Sequence, residues 1–486
     1  MTQAAVTLAT IIDDLPTSFS DVLIKGLSSD SRAIEEGFAF FALAGSKADG
    51  AVYIKHAIER GASVVISEAP RPADLPSSVA YLMVSDARLC LAHAAARFYA
   101  RQPETIVAVT GTAGKSSVAD FTRQIFSHAK CRAASLGTIG IVRDTHVTYG
   151  ALTTPDPVSL HQNLQMLADE GITHLAMEAS SHGLDQKRLD GVRIKAAAFT
   201  NLGHDHLDYH GTEEAYLNAK LRLFDTLLPH DGVAVINADA PQSKAVAEIA
   251  QKRGLALISV GRAGHDIRLN QVTRDGFDQR LDLSIKGRPA QLRLALAGDF
   301  QTSNALVAAG LALAVGIDEN MMIDALSHLK GVPGRLERVG IKQGGLIVID
   351  YAHKPEALVA ALDALRPFVT GRLICVFGCG GDRDTAKRPL MGTLAQDKAD
   401  DVIVTDDNPR SEDPASIRRA ILESCPKAQE IGDRRAAINH ALDRMGPGDV
   451  VLIAGKGHET GQIIGQTVIP FSDHEVVADN LRKGAA

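Results

Sequence analysis

Seven residues, Gly111-Thr112-Ala113-Gly114-Lys115-Ser116-Ser117, combine two glycines with a lysine and three hydroxyls. Before them Thr105 to Val109 reads as a short buried strand, and after them Val118, Phe121, Thr122 and Ile125 recur at helical spacing. A glycine-rich turn from a strand into a helix N-terminus aims backbone N–H groups and the helix dipole at a phosphate. Lys115 would add a point charge on the outer phosphates, and Ser116 a hydroxyl for Mg²⁺. The pattern G-x-x-x-x-G-K-[ST] fails at its first position, where Val109 stands. An ordinary strand–helix turn with a solvated lysine is the plainer reading.

Two further stretches carry reactive side chains. In Met177-Glu178-Ala179-Ser180-Ser181-His182-Gly183 a carboxylate leaves an apolar strand. That is costly unless it is paired or on a metal, and Mg²⁺ prefers oxygen ligands. A serine-hydrolase reading of Ser-Ser-His lacks a G-x-S-x-G elbow. From His204 to His210 lie three histidines and two aspartates, read as a zinc cluster, as a single Mg²⁺-linked histidine, or as surface residues. Ala215 to Phe224 is an amphipathic helix, and spacing alone makes its Lys220 a solvated lysine.

Toward the C-terminus four strands end in loaded loops: Asp350 to His353, Gly378 to Arg383, Asp406 to Arg410 and Gly455 to Glu459. Ligands of open α/β sheets sit at the carboxyl ends of strands. Near the N-terminus Ser28 to Arg32 and Gly45 to Gly50 are polar turns, suited either to a diphosphate or to ordinary capping.

The elements that position these groups follow from strand and helix patterns alternating along 486 residues, enough chain for about three domains. The fold class is α/β, with a small N-terminal α/β domain over 1–88, a central doubly wound sheet over 89–330 and a third α/β domain over 331–486. Expected strands are 63–66, 80–84, 106–109, 174–177, 196–199, 233–236, 257–260, 346–349, 373–377, 402–404 and 450–453. Expected helices are 52–60, 89–101 and 304–315, with a hairpin over 265–295.

Composition narrows the partners. A net charge of −7, no basic run and no Trp argue against nucleic acid or an anionic membrane. Five scattered cysteines fit a reducing compartment, and Cys375-x₃-Cys379 lacks a second metal-binding pair. No secretory leader is visible, and the longest apolar run, 305–317, is too short and too glycine-interrupted to span a bilayer. A cytoplasmic monomer acting on small molecules, without membrane insertion, is expected.

Gly111 to Ser117, Leu152 to Pro155, Met177 to Leu184, Thr200 to His210, Asn237 to Asp239, Gly334 to Glu337, Asp350 to His353 and Gly455 to Glu459 together resemble, in order, the motifs of the Mur ligases, along essentially the whole chain. The resemblance implies a Rossmann-like fold for the domain over 331–486, and ATP-dependent amide formation through an acyl phosphate at the D-Glu γ-carboxylate of UDP-N-acetylmuramoyl-L-Ala-D-Glu. It assigns ATP to Gly111, Thr112, Ala113, Gly114, Lys115, Ser116, Ser117, Asn304, Arg335 and Asp350. Mg²⁺ falls to Ser116 and Glu178, a second Mg²⁺ to His206, and Lys220 becomes a Mg²⁺-binding carbamate formed with CO₂, which reverses the solvated reading. Lys115, Lys220, Glu178 and His206 are the implied catalytic set. Ser29, Ser31, Ser46, Lys47 and Ala48 match positions on the UDP-sugar, and Thr153, Thr154, Ser180, Gln186 and Arg188 positions on the muramoyl dipeptide.

Asp407-Asn408-Pro409-Arg410 resembles the motif of the members that add meso-diaminopimelate. The physics agrees, since an arginine fork suits the second carboxylate that lysine lacks. Arg383 is a second candidate clamp, and Asp407 and Glu459, with backbone at Gly455, would take the distal ammonium. Three positions depart from the family pattern: Ala113 and Gln301, each where Asn is usual, and Lys354, where a small polar residue is usual. A lysine-adding member and a folylpolyglutamate synthetase-like ligase are the alternatives, alongside a non-catalytic nucleotide-binding protein.

Overall fold

Strands rich in Ile, Val and Ala without polar alternation must be covered on both faces, and this chain builds three such parallel layers. The computed structural model describes residues 5–13, 15–45, 49–150 and 152–484. Two units separate, Met1–Ser259 with Gly310–Ile317, and Val260–Ala309 with Asp318–Ala486.

In the first unit Gly26–Ser28, Phe38–Ala42, Val64–Ser67 and Ala80–Met83 form a parallel sheet in that order. Phe40 and Phe41 are both fully buried, yet they enter cores on opposite faces, because successive strand side chains alternate. The expected strands near 63–66 and 80–84 are present. Gly26–Ser28 and Phe38–Ala42 were not anticipated, since the first is very short and the second follows a glycine turn.

The larger sheet of this unit runs Val147–Tyr149, Gly140–Arg143, Ala133–Gly137, His174–Glu178, Thr105–Thr110, Ile194–Phe199, Val233–Asn237, Ala256–Gly261. From Ala133–Gly137 to Val233–Asn237 neighbouring strands are parallel. Thr105–Thr110 is central, and the chain moves first to one side of it and then to the other. That reversal is the switch point of a doubly wound sheet. The carboxyl ends of His174–Glu178 and Ile194–Phe199 therefore flank the turn after Thr110. Helix Lys115–His128 packs through Val118, Phe121 and Ile125, all fully buried.

In the second unit Ile267–Asp275, Asp278–Ile285 and Arg288–Leu294 form a three-stranded antiparallel meander, where a hairpin was expected. Its first strand is mostly polar and exposed, and a register shift between Leu269 and Gln271 breaks the alternation. Helix Asp299–Ala314 begins five residues before the expected start, ahead of its apolar stretch. The second sheet runs Glu337–Lys342, Gly345–Asp350, Val450–Ala454, Leu373–Phe377, Asp401–Val404, Gln429–Glu430. Its first strand is antiparallel and the rest are parallel. Among the described residues no helix is long and apolar enough to cross a membrane.

Candidate active site

The glycine turn is held in shape by the strand end beside it. Gly111 has φ +147°, and a Cβ there would overlap Thr200 Oγ1, so only glycine fits. Gly114, at φ +87°, turns the chain into helix Lys115–His128. Asn201 staples the turn. Its carbonyl accepts from Thr112 N at 2.9 Å, its Oδ1 accepts from Ala113 N at 3.0 Å, and its Nδ2 donates to Ala113 O at 3.2 Å. Thr200 Oγ1 adds a bond to Ala113 O at 2.7 Å. The backbone at Ala113 is thus held on both sides by side chains of the neighbouring strand end. Lys115 Nζ donates to the carbonyls of Gly111 and Thr112, both at 2.9 Å, which keeps its charge on the loop. Ser116 stands half-buried in the first turn of the helix.

Lys220 contradicts the solvated reading from spacing. Helix Glu213–Arg222 starts at Thr212, whose hydroxyl accepts from Ala215 N at 3.1 Å. Its buried face includes Tyr216, Ala219 and Lys220, because a residue four places after a buried tyrosine returns to the same side. Lys220 is 1% exposed. Its Nζ donates to Gly111 O at 2.9 Å and lies 4.1 Å from the centre of the Tyr216 ring. Burial, reinforced by the charge of Lys115, pushes the amine down to about 6. Tyr216 ties this helix to the loop through a 3.1 Å bond between its hydroxyl and Thr112 Oγ1.

Glu178 ends its strand beside the loop and is 2% exposed. Thr138 satisfies it, its N–H on Oε1 at 2.8 Å and its hydroxyl on Oε2 at 3.2 Å. A Cβ at Gly137 would overlap the same carboxylate. The residues expected along a dipeptide continue from this point as one network. Thr138 Oγ1 meets Thr153 Oγ1 at 3.0 Å, and Thr154 Oγ1 donates to Glu178 O at 3.0 Å. Ser180 N donates to Thr154 Oγ1, and Ser180 Oγ caps the next helix at Gly183 N. Arg188 donates to Thr154 O at 2.7 Å and to Gln186 Oε1 at 2.7 Å.

The histidine-rich run does not converge on one ion. His204 turns outward to Glu213 at 2.9 Å, and Asp205 Oδ1 accepts from His206 N. His206, in the left-handed region at φ +54°, instead packs its ring 4.7 Å from His182, with His210 5.5 Å from His182. In the N-terminal turn Ser29 is exposed, and buried Ser31 meets His56 Nδ1 at 3.0 Å. Ser46, Lys47 and Ala48 lie outside the described residues.

In the second unit the loaded strand ends gather. Asp350 accepts from Leu336 N at 2.6 Å, and burial lifts its carboxyl to about 6. The Arg335 guanidinium lies 5.3 Å from the Tyr351 ring centre, and its buried Nε has no partner among the described residues. Asn304 donates to Gln301 Oε1 at 3.0 Å, and Gln301 in turn to Arg335 O at 3.2 Å. The unusual Gln301 therefore bridges two residues expected to serve one ligand.

Asp407 is buried, and its Oδ2 has no partner among the described residues. A Cβ at Gly455 would crowd that oxygen. Asn408 Nδ2 donates to Glu459 Oε2 at 2.9 Å. Pro409 O accepts from Glu412 N at 3.1 Å and closes the turn. Arg410, at φ +51°, donates to Gly381 O at 2.9 Å. Arg383 is not drawn in, since it is exposed and, among the described residues, its one hydrogen bond is to Asp382 O at 3.1 Å.

Sequence reasoning missed Asn201, Thr138, Tyr216, Lys456 and Arg434. Lys456 is fully buried, and a charge between two glycines after a buried strand was the available signal. Arg434 is fully buried too, paired with Asp473 at 2.7 Å and bonded to Ala454 O at 3.0 Å. Nothing in its local sequence marks it.

Known proteins match along the whole chain. Residues 23–99 match the model described as Mur ligase family, catalytic domain, 109–312 the Mur ligase middle domain, and 334–457 the Mur ligase, glutamate ligase domain. The UDP-N-acetylmuramoyl-L-alanyl-D-glutamate--2,6-diaminopimelate ligase of Mesorhizobium japonicum is 54% identical, over 99% of each chain. A solved structure of a ligase with that name aligns with TM-score 0.75 at 33% identity, covering 99% of this chain and 100% of the other. A folylpolyglutamate synthase from Mycobacterium tuberculosis, complexed with ADP and AMPPCP, shares the fold at 19% identity and TM-score 0.59, covering 76% of this chain and 92% of its own. With ordered motifs, three matched segments and relatives alike from end to end, the chain belongs to the Mur ligase family.

Proposed function

We propose that the protein is an ATP-dependent ligase that adds meso-2,6-diaminopimelate to the D-Glu γ-carboxylate of UDP-N-acetylmuramoyl-L-Ala-D-Glu. The observation that carries this reading is the 54% identity, over 99% of the chain, to a ligase named for that reaction. The γ-carboxylate attacks the γ-phosphorus of ATP, and ADP leaves. The diaminopimelate amine then attacks the acyl carbon of the resulting acyl phosphate, loses a proton and expels phosphate.

The residues fit these steps. Gly111 to Ser117 present N–H groups to the phosphates, and Lys115 offsets repulsion between two anionic reactants. Asn304, Arg335 and Asp350 are assigned to the nucleotide as well. Ser116 and Glu178 supply oxygen donors suited to Mg²⁺, and His206 is assigned to a second Mg²⁺; these ions, when bound, would neutralise charge on the transferring phosphoryl group. Lys220 is assigned a carbamate. A neutral amine attacks CO₂ and releases a proton, and the depressed, buried amine of Lys220 is in that neutral form near pH 7. Ser29, Ser31, Ser46, Lys47 and Ala48 are assigned to the UDP-sugar. Thr153, Thr154, Ser180, Gln186 and Arg188 line the dipeptide.

Asp407, Asn408, Pro409, Arg410, Gly455 and Glu459 are assigned to diaminopimelate, with Arg383, exposed outside their cluster, as the second candidate clamp. The unpartnered Asp407 Oδ2 is an acceptor ready for an ammonium. The spans 1–88, 89–330 and 331–486 serve UDP-sugar, ATP and amino acid in turn. The enzyme works as a cytoplasmic monomer on small molecules.

Phosphate release with ATP, Mg²⁺ and UDP-N-acetylmuramoyl-L-Ala-D-Glu tests the reading, with diaminopimelate, lysine and glutamate added one at a time. Release on diaminopimelate alone is expected. Equal release on lysine would overturn the specificity, and release on glutamate would favour the folylpolyglutamate-type ligase.

A further inference from the structure

Lys456 lies between Gly455 at φ +114° and Gly457 at φ +53°, and is 0% exposed. Burying an ammonium costs several kcal/mol unless it is paired and hydrogen-bonded. Its Nζ donates to Asn408 Oδ1 at 3.0 Å and to Glu459 Oε2 at 2.9 Å. Ile463 N also donates to Asn408 Oδ1, at 2.9 Å. Two donors on that oxygen fix the amide, so Nδ2 must face Glu459 Oε2. Glu459 thus spends one oxygen on Lys456 and Asn408, while its side chain is 32% exposed. Oε1 stays available for a ligand.

Charge is the second consequence. Arg383 aside, which stands exposed outside it, the cluster holds two carboxylates, Asp407 and Glu459, and two cations, Arg410 and Lys456. Its formal sum is zero. Arg434 beneath it is matched by Asp473. The distal end of diaminopimelate, one ammonium and one carboxylate, also sums to zero. Without Lys456 the cluster would carry one excess negative charge, which suits an ammonium with no carboxylate beside it, as in lysine.

We propose that Lys456 is a positioning residue that sets the preference for a zwitterionic distal group over a bare ammonium, by balancing the cluster's charge and aiming Glu459. This rests on the reading of Asp407 to Arg410 and Glu459 as the amino-acid site.

The test measures kcat/KM for diaminopimelate and for lysine in the full chain, with KM for ATP alongside. Lys456→Gln is expected to lower the diaminopimelate-to-lysine ratio by about tenfold, the scale of one charged hydrogen bond, with KM for ATP unchanged. Adding Glu459→Gln restores neutrality, and the double variant should recover part of the ratio lost in the single one. Equal loss for both amino acids, an unchanged ratio, or no recovery in the double variant would overturn the proposal. If Lys456→Gln does not fold, as read by circular dichroism, Lys456→Met and the neutral double variant carry the same comparison. Arg410→Ala separates the two levels. Intact diaminopimelate use there would sink the site assignment itself. Loss there with an unchanged ratio in Lys456→Gln would sink only the role of Lys456.

Discussion

Lys220 is the residue whose environment departs furthest from its type. A lysine 1% exposed, facing a carbonyl and an aromatic ring, loses hydration that its cation needs, and the neutral amine is favoured. Lys220→Ala is expected to lower kcat below about one thousandth of the parent, the scale of losing an electrostatic group at a phosphoryl-transfer site. Added bicarbonate should not restore it, and near-parental turnover would rule out the carbamate. Arg410→Ala should cut kcat/KM for diaminopimelate about a hundredfold, from the lost carboxylate fork, and leave KM for ATP unchanged. Equal kcat/KM in variant and parent would contradict the clamp. The places of Lys115 and Glu178 were readable because a charge beside glycine or at a strand end is a local pattern, whereas Arg410 was singled out by its resemblance to a family motif. From spacing alone Lys220 read as solvated, and only the resemblance to the Mur ligases reversed that; the apolar stripe of its helix does not decide its side, whereas packing beside buried Tyr216 does.

Among the elements, the turn at Gly111 and the strand end at Thr200 act as one piece through Asn201. Asn201→Ala removes two bonds to Ala113 and is expected to raise KM for ATP about tenfold, with melting temperature little changed. Unchanged KM would show that the turn holds itself. Asn201 was invisible in the sequence because it works on backbone, which carries no residue signature.

Helix Pro157–Asp169 buries His161 completely. Its Nε2 must donate to Asp190 O at 3.2 Å, which leaves Nδ1 buried without a partner among the described residues. Burial, with the charges of His93 and Arg193, pushes this imidazole from 6.5 down to about 4. The unfolded chain then binds more protons between those values, so stability is lost as pH falls through that window. His161→Leu should remove on the order of 2 kcal/mol of the stability difference between pH 7 and pH 4. Identical pH dependence in denaturant midpoints for parent and variant would contradict this. The meander of the second unit was misread for a related reason, since its polar first strand owes its conformation to pairing with Asp278–Ile285 and not to its own pattern.

At the scale of the whole molecule, each unit carries its own finished cluster. One has the glycine turn, Glu178 and Lys220; the other has Asp350, Asp407 and Glu459. The parallel layers were legible in the alternation of buried strands with helices, and the strand ends in their loaded loops. The supports beneath them were not, because Thr138 and Arg434 act on partners far apart in the chain, and Lys456 is held by distant Asn408 as well as by nearby Glu459. The central claim is the identity of the amino acid joined to the dipeptide. It is tested most directly by incubating the enzyme with ATP, Mg²⁺ and UDP-N-acetylmuramoyl-L-Ala-D-Glu in an equal mixture of diaminopimelate, lysine and glutamate, then reading the mass of the UDP product. A product carrying diaminopimelate is expected, and a product carrying mainly lysine or glutamate would overturn the assignment.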